Sequence, residues 1–229
     1  MPLLNFSDKI IFIMDAQNRT EKLRKIKDEV LNPAPASRGG TGLKESPLYQ
    51  ERINNRVFPV IGEGSHCAKI MFIGEAPGRN EAATGRPFCG AAGKVLDELL
   101  TSVGINRKDV YVTNIVKDRP PFNRDPLPDE IRAYAPFLDR QIDIIQPEVI
   151  ATLGRFSMDY IMRKFSPGNY TGQTSISKMH GKMFEAKTSD GKIKIIPLYH
   201  PAVAVYNNGM KTELVKDFQV LKQLAKQQV

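Results

Sequence analysis

The chain has 229 residues, of which 41% are hydrophobic and 25% are charged. This length is enough to bury a substantial core, and α/β chains of about 200–250 residues commonly fold as one domain. The formal net charge of +8 favours a polyanionic partner, nucleic acid above all, because each phosphate neutralised by Lys or Arg releases counterions. A basic soluble protein without such a partner accounts for the charge equally well.

Cysteine content and hydropathy exclude several classes of protein. The two cysteines, Cys67 and Cys89, have no CxxC or CxxH spacing, which argues against a disulfide framework and a cysteine-rich metal site. The apolar stretch at Ile10–Met14 is far shorter than the roughly 20 residues of a membrane span, and it lacks the pattern of a signal peptide. We therefore expect a soluble, cytosolic protein that binds no metal and no membrane.

The first element along the chain is a helix or helical pair that begins near Ser7 and ends at about Leu31. Prolines and glycines crowd residues 33–42, where regular structure cannot continue. We predict an N-terminal helical extension with its linker over residues 1–45 and an α/β domain over residues 46–229, joined in one compact unit.

Strands and helices alternate after the linker. The predicted strands are Ala68–Ile73, Asp109–Asn114, Glu148–Leu153 and Lys194–Leu198, and the predicted helices are Ala91–Val103, Pro128–Ile145 and Thr212–Gln227. This order predicts an α/β fold with three α/β/α layers around a mainly parallel four-stranded sheet. Ligands of such sheets bind beyond the carboxyl ends of the strands. Gly74, Asn114, Gly154 and His200 follow those ends, so we expect them around one crevice.

Three side chains after strand ends are candidates for recognising a nucleobase. Asn114 offers one acceptor and two donors, which match the N3–H and O4 of a uracil edge. Phe88, in a glycine-flanked loop, could form a wall on which a base stacks. His200 precedes Pro201 and could donate to a developing oxyanion. Each also has an ordinary alternative: a loop-capping Asn, a core Phe and a structural His.

Backbone turns and basic residues complete the candidate site. The segment Gly74–Glu81 contains Pro77 and Gly78, so its N–H groups could point at a ligand oxygen, although it could equally be a plain turn. Arg86, Lys117, Arg119, Arg124, Arg155 and Lys182 could follow a phosphate backbone or simply be solvated.

Six motifs in order resemble the uracil-DNA glycosylase superfamily, most closely its family 4. They are GEAPG, GRPFxGxAGxxL, TNxVKxRPPxNRxP, PFLxRQ, TLGR and YHPA, and they span the chain from about Ser46 to Leu224. The resemblance implies a uracil-DNA glycosylase-like fold that flips a base out of DNA and hydrolyses its glycosidic bond. DNA containing uracil or another modified base is the implied partner, and we expect a monomer.

The resemblance also implies a role for each site residue. Gly74, Glu75 and Ala76 line the O2 side of the base, with Glu75 orienting water or stabilising the sugar cation. Phe88 stacks on the base and Asn114 reads its edge. Glu81 crowds C5 against thymine, and His200 stabilises the leaving base. The segment Val203–Tyr206, with Val203 and Tyr206 as DNA contacts, would enter the vacated base stack.

The chain departs from the resembled family at one place. Family 4 usually carries four cysteines for an iron–sulfur cluster, and the aligned positions here are Leu43, Ser46, Asp118 and Tyr134. None supplies a thiolate, so we predict no cofactor. Packing of Tyr134, hydrogen bonding by Asp118 or Ser46, and coverage by the N-terminal segment are candidate replacements.

Three functions are compatible with these motifs. The first is a monofunctional uracil-DNA glycosylase of base-excision repair, without lyase activity because the pocket offers no clear Lys nucleophile. The second is a glycosylase for another modified pyrimidine, since loss of the cluster could accompany remodelled loops near the DNA. The third is a noncatalytic DNA-binding relative, against which the presence of Phe88, Asn114 and His200 argues.

Overall fold

The computed structural model describes residues 6–172, 174–189, 191–207 and 209–226. Its strands are β1 (Glu63–Gly64), β2 (Ile70–Gly74), β3 (Tyr111–Asn114), β4 (Val149–Leu153), β5 (Phe184–Thr188) and β6 (Gly191–Leu198). They form one sheet in the order β1-β3-β2-β4-β6-β5. The predicted four strands are β2, β3, β4 and β6, and they pair in parallel as expected. The short β1 and the hairpin strand β5 extend the sheet to six as antiparallel edges.

Helices cover both faces of this sheet. They are α1 (Phe6–Leu31), α2 (Pro47–Asn55), α3 (Arg79–Thr84), α4 (Ala91–Ser102), α5 (Pro128–Ile145), α6 (Arg155–Phe165), α7 (Ile176–Met179), α8 (Ala202–Tyr206) and α9 (Gly209–Lys226). Side chains of β2 alternate between two cores, because successive residues of a strand point to opposite faces. Met71 and Ile73 pack with α1, α5 and α6, whereas Ile70 and Phe72 pack with α4 and α9. The predicted three-layer arrangement is confirmed.

Helix α1 is continuous and forms part of the core. Leu23, Ile26 and Val30 recur at helical spacing and are buried in the same cluster as α5. Arg140 of α5 donates two hydrogen bonds to the Glu29 carboxylate, at 2.5 and 2.8 Å. On these contacts we propose that the N-terminal extension and the α/β domain fold as one unit.

Element boundaries agree with the prediction more closely at some places than at others. The helix predicted at Pro128–Ile145 has those bounds, and the last helix begins at Gly209, three residues before the prediction. Gln227, where that helix was predicted to end, lies outside the described residues. Helices α2, α3, α6, α7 and α8 were not predicted. No helix among the described residues is long and apolar enough to cross a membrane.

Candidate active site

The carboxyl ends of β2, β3 and β6 open onto one cavity of about 480 Å³, within the usual size of a small-molecule site. Because these strands are parallel, their following loops meet at one edge of the sheet. The sequence-predicted residues that line the cavity are Glu75, Ala76, Glu81, Phe88, Asn114, Arg124, His200 and Tyr206. We call this cavity the base pocket. Gly154 lies against it, since a Cβ on Gly154 would be 3.3 Å from the Cβ of His200.

Asn114 presents a buried acceptor that no group of the described residues satisfies. Its side chain is 2% exposed, and its Oδ1 has no hydrogen-bond partner among the described residues. Gly74 is the residue paired with it across β2 and β3. A Cβ on Gly74 would lie 2.3 Å from Asn114 Oδ1 and 2.7 Å from Phe88 Cζ, so only glycine fits there. An unpaired buried acceptor costs about 1–3 kcal/mol, and a ligand donor would remove that cost.

Phe88 forms a wall of the pocket in a strained backbone conformation. Its φ of 49° lies in the left-handed region, and its side chain is 7% exposed. The next two backbone N–H groups, of Cys89 and Gly90, donate to Glu81 Oε1 at 3.0 and 2.9 Å. Strained residues of this kind persist only when their surroundings hold them. Glu81 therefore fastens the loop that carries the ring, in addition to lining the pocket.

His200 is neutral and has a defined tautomer. The backbone N–H of Ala202 donates to His200 Nδ1 at 3.2 Å, so the ring proton is on Nε2. Burial lowers the pKa of His200 to about 4, and the nearby Glu81 carboxylate only partly opposes this shift. The imidazole therefore offers an N–H donor at neutral pH. Its ring centroid is 5.6 Å from that of Phe88, so donor and stacking wall are neighbours.

Glu75 is one of two carboxyl groups that line the pocket, the other being Glu81, and its protonation changes near neutral pH. Burial raises the pKa of this carboxyl to about 7, and the negative charge of Asp125 adds to the increase. Arg155 acts in the opposite direction and is itself hydrogen-bonded to Asp125. The Glu75 carbonyl accepts the N–H of Val116 at 3.0 Å, which anchors this strand end beside β3. Ionised and neutral Glu75 therefore coexist at physiological pH.

Lys117 does not lie where a DNA contact requires, and the prediction for it is wrong. Its side chain is fully buried. Its Nζ donates to Asn114 O at 2.7 Å, to Thr113 Oγ1 at 2.8 Å and to Gln141 Oε1 at 2.6 Å. Burial lowers the pKa of Lys117 well below its usual value. Because three protein acceptors surround its Nζ, Lys117 is a buried structural residue that hydrogen-bonds to the backbone of Asn114.

The predicted surface arginines are all held by protein acceptors. Arg86 donates to both Glu63 oxygens, and Arg124 to both Glu130 oxygens, while Arg119 Nε donates to Asn123 Oδ1 at 2.7 Å. Arg86 and Arg155 are 66% and 64% exposed, so phosphate could reach them. Lys182 lies beside a separate surface depression around His180 and not in the base pocket. DNA contact by Arg86, Arg119, Arg124 and Arg155 stays a prediction.

The segment after His200 forms α8 and turns two side chains toward the pocket mouth. Val205 and Tyr206 line the cavity and are 40% and 89% exposed. Val203 packs instead against the core on the face of the sheet that α4 and α9 cover. Residue-by-residue reading of the sequence missed Asn80 and Asn123, which also line the pocket. Asn123 could have been found from its place in the RPPFNR motif.

Comparison with known proteins identifies the family to which this fold belongs. The sequence model of the uracil DNA glycosylase superfamily matches residues 61–222. The chain belongs to that superfamily. It is 46% identical over 206 residues to a Type-4 uracil-DNA glycosylase of Sulfurisphaera tokodaii, covering 90% of this chain and 86% of the relative. The Archaeoglobus fulgidus relative of the same name is 44% identical, with 72% and 81% covered, and that of Thermotoga maritima is 40% identical, with 80% and 88% covered.

The positions aligned with the family 4 cysteines do not fit an iron–sulfur cluster. Leu43, Ser46, Asp118 and Tyr134 are all buried and offer no thiolate. Tyr134 Oη donates to Asp118 Oδ2 at 2.5 Å, so the side chains at two of these four positions are hydrogen-bonded to each other. Ser46 Oγ has no partner among the described residues. We predicted that hydrogen bonding by Asp118 or Ser46 replaces the cluster. The Asp118 side chain does make hydrogen bonds, whereas the Ser46 hydroxyl makes none among the described residues.

A buried ion pair completes this region of the glycosylase fold. Arg52 of α2 donates to Asp118 Oδ1 at 3.2 Å, and both side chains are almost fully buried. The same guanidinium donates to Val30 O at 2.8 Å, near the end of α1. We call this group the Arg52–Asp118–Tyr134 network. Burial raises the pKa of Asp118 to about 6, and Arg52 and Tyr134 oppose that shift. The network connects α1, α2, α5 and the loop after β3 through side chains of the chain itself.

Proposed function

We propose that this protein is a monofunctional uracil-DNA glycosylase, which flips uracil out of DNA, hydrolyses its N-glycosidic bond and leaves an abasic site. The observation that carries the proposal is the unpaired Asn114 Oδ1 in a cavity with a stacking wall and a neutral imidazole. Relatives that bear the Type-4 uracil-DNA glycosylase name at 40–46% identity support it. The protein acts inside the cell as a monomer, on DNA.

Asn114 and Phe88 recognise the base. Uracil N3–H donates to Asn114 Oδ1, which removes the cost of the unpaired acceptor, and the base stacks on the Phe88 ring. Cytosine has an acceptor at N3, which would face Oδ1 and leave both groups unsatisfied. Glu81, fixed by two backbone N–H groups, occupies the wall beside C5 and disfavours the methyl group of thymine. Edge and shape together select uracil.

His200 stabilises the leaving group. The glycosidic bond breaks with oxocarbenium character at the sugar, and negative charge accumulates on uracil O2. The Nε2–H of neutral His200 donates to this oxygen, and the backbone loop of Gly74, Glu75 and Ala76 lies on the same side. A donor of this kind lowers the barrier by about 2.7–4 kcal/mol. The low pKa of His200 prevents a competing role as general acid at pH 7.

Glu75 acts on the sugar side of the reaction. Its ionised carboxylate stabilises the positive charge at the sugar and orients the attacking water. No described side chain that lines the pocket is a lysine, and the ammonium of Lys117 is enclosed beneath Asn114. A Schiff base with the sugar is therefore not part of the mechanism, and the product is an intact abasic site.

A panel of base substrates tests the proposal. Oligonucleotides with uracil, 5-hydroxymethyluracil, hypoxanthine or a thymine mismatch are incubated with the protein and scored for alkali-sensitive sites. We expect cleavage of uracil DNA, with thymine resisted. A protein that cleaves only another modified pyrimidine supports the second candidate function. Binding without cleavage of any base supports a noncatalytic relative, and either result overturns uracil excision.

A further inference from the structure

The loop after Lys117 carries an aromatic ring that the base pocket does not use. Phe122 is 97% exposed, more than the other large exposed hydrophobic residues of the described chain. A single exposed apolar side chain is common on protein surfaces and has no meaning alone. The backbone supplies the second observation. Both Phe122 and the following Asn123 have φ of 55°, in the left-handed region that non-glycine residues rarely adopt.

Contacts within the loop hold the backbone of Phe122 and Asn123 in this conformation. Pro120 and Pro121 precede the ring, and the Asn123 N–H donates to Pro120 O at 3.1 Å. Arg119 Nε also holds the Asn123 side chain, at 2.7 Å. The next residue, Arg124, donates to both oxygens of a buried carboxylate at 2.8 and 2.6 Å. These contacts hold Phe122 and Asn123 in strained backbone conformations, and in this arrangement the Phe122 ring is exposed to solvent.

The loop that carries the ring borders the base pocket. Pro120, Asn123 and Arg124 line the pocket, whereas Phe122 itself does not. Its loop follows β3, while Tyr206 belongs to α8 after β6, and two strands, β2 and β4, separate β3 from β6. At about 4.8 Å between neighbouring strands, the two loops arise roughly 14 Å apart. Two exposed aromatic residues, Phe122 and Tyr206, therefore belong to two different segments that border the base pocket.

We propose that Phe122 stacks on an unpaired or partly unstacked base of the uracil-containing strand, beside the flipped nucleotide. Arg119 and Arg124 on the same loop suit the phosphates of that strand. A charged groove combined with an aromatic platform is the usual means of binding single-stranded nucleic acid without sequence preference. The complementary strand is not required for this contact, so it operates on single-stranded and double-stranded substrates alike.

The test measures binding to uncleavable DNA, in which 2′-fluoroarabinouridine replaces deoxyuridine. Phe122→Gly removes the ring and suits the positive φ, so the variant should melt no lower than the wild type. We expect its Kd to rise about 5- to 100-fold for both single-stranded and duplex DNA. Its single-turnover rate at saturation should change less than about threefold, because the ring does not touch the reacting atoms. Phe122→Tyr, which retains a ring, should bind as the wild type does.

Phe58→Ala is the matched control, since Phe58 is 58% exposed and does not line the pocket. A 2-aminopurine placed next to the uracil analogue should be quenched by the wild type and not by Phe122→Gly. Unchanged affinity in Phe122→Gly overturns the proposal, and so does a loss confined to duplex DNA, which would place the ring against the complementary strand. The inference rests on the proposed function, but the binding assay is independent of turnover. Failure of uracil cleavage by the wild type would therefore be a separate result.

Discussion

The base pocket and the Arg52–Asp118–Tyr134 network are both buried and polar, yet they are completed in opposite ways. Asn114 and Asp118 lie only a few residues apart on the chain leaving β3. Asp118 has a protein donor at each carboxylate oxygen, whereas Asn114 Oδ1 has no partner among the described residues. A satisfied buried group contributes to the fold, whereas the unsatisfied Asn114 Oδ1 belongs to a residue that lines the base pocket and can accept a hydrogen bond from a ligand. Substitutions in the two regions should therefore affect different measurements.

The largest expected effect is on stability, in the network. Asp118→Leu leaves the Arg52 guanidinium buried without its carboxylate, so the free energy of unfolding should fall by about 3–5 kcal/mol. The free energy of unfolding is measured by equilibrium denaturation in urea. Replacing the whole network, with Arg52→Met, Asp118→Leu and Tyr134→Phe together, should recover most of the loss. Glu29→Gln, in an exposed pair with Arg140, is the control and should cost no more than about 1 kcal/mol. A full loss in the triple variant would contradict this explanation.

The next effect is on catalysis, in the pocket. His200→Ala removes the donor to the leaving base and should lower the single-turnover rate by roughly 10²–10³. Affinity for uncleavable uracil DNA and the unfolding midpoint should stay near the wild-type values, which is the opposite of the result for Asp118→Leu. An unchanged rate would remove His200 from the leaving-group role.

A smaller effect is expected for the residue that reads the base. Asn114→Ala deletes the hydrogen bonds to the uracil edge, and kcat/KM for uracil should fall by about 5- to 150-fold, equivalent to about 1–3 kcal/mol. Stability should not decrease by a comparable amount, because the deleted Oδ1 is already unpaired in the free protein. Relative activities on uracil and cytosine oligonucleotides measure selectivity. A variant that keeps the wild-type preference for uracil would argue against edge recognition by Asn114.

The smallest effect is a dependence on pH. Burial raises the pKa of Glu75 to about 7, so its ionised fraction increases as the pH rises through that value. If the ionised form stabilises the sugar cation, the single-turnover rate should fall up to tenfold for each pH unit below 7 and level off above it. His200, with a pKa of about 4, stays neutral over this range. Glu75→Gln should be slower and independent of pH between 5.5 and 8.5, and a flat wild-type profile would contradict the role of Glu75.

Much of the fold could be predicted because its signals are local. Helix α5 has the predicted bounds since Pro128 fits its first turn and an apolar face recurs at helical spacing. The four parallel strands are short apolar segments that end at polar loops. The edge strands β1 and β5 were missed, because Glu63–Gly64 is only two residues long and Phe184–Thr188 is largely polar. Their pairing depends on the neighbouring strand and not on their own composition.

The sequence by itself determined the order of the elements, the superfamily motifs and the absence of thiolates at the cluster positions, because residue type and spacing are sufficient for these conclusions. Only the tertiary structure decided that Lys117 lies beneath Asn114, that Asn114 Oδ1 is unpaired and that Phe122 is held out in solvent. These properties depend on which atoms approach one another across distant segments. A basic or aromatic residue in a motif can be either buried or exposed, and which of the two it is depends on how the surrounding elements pack.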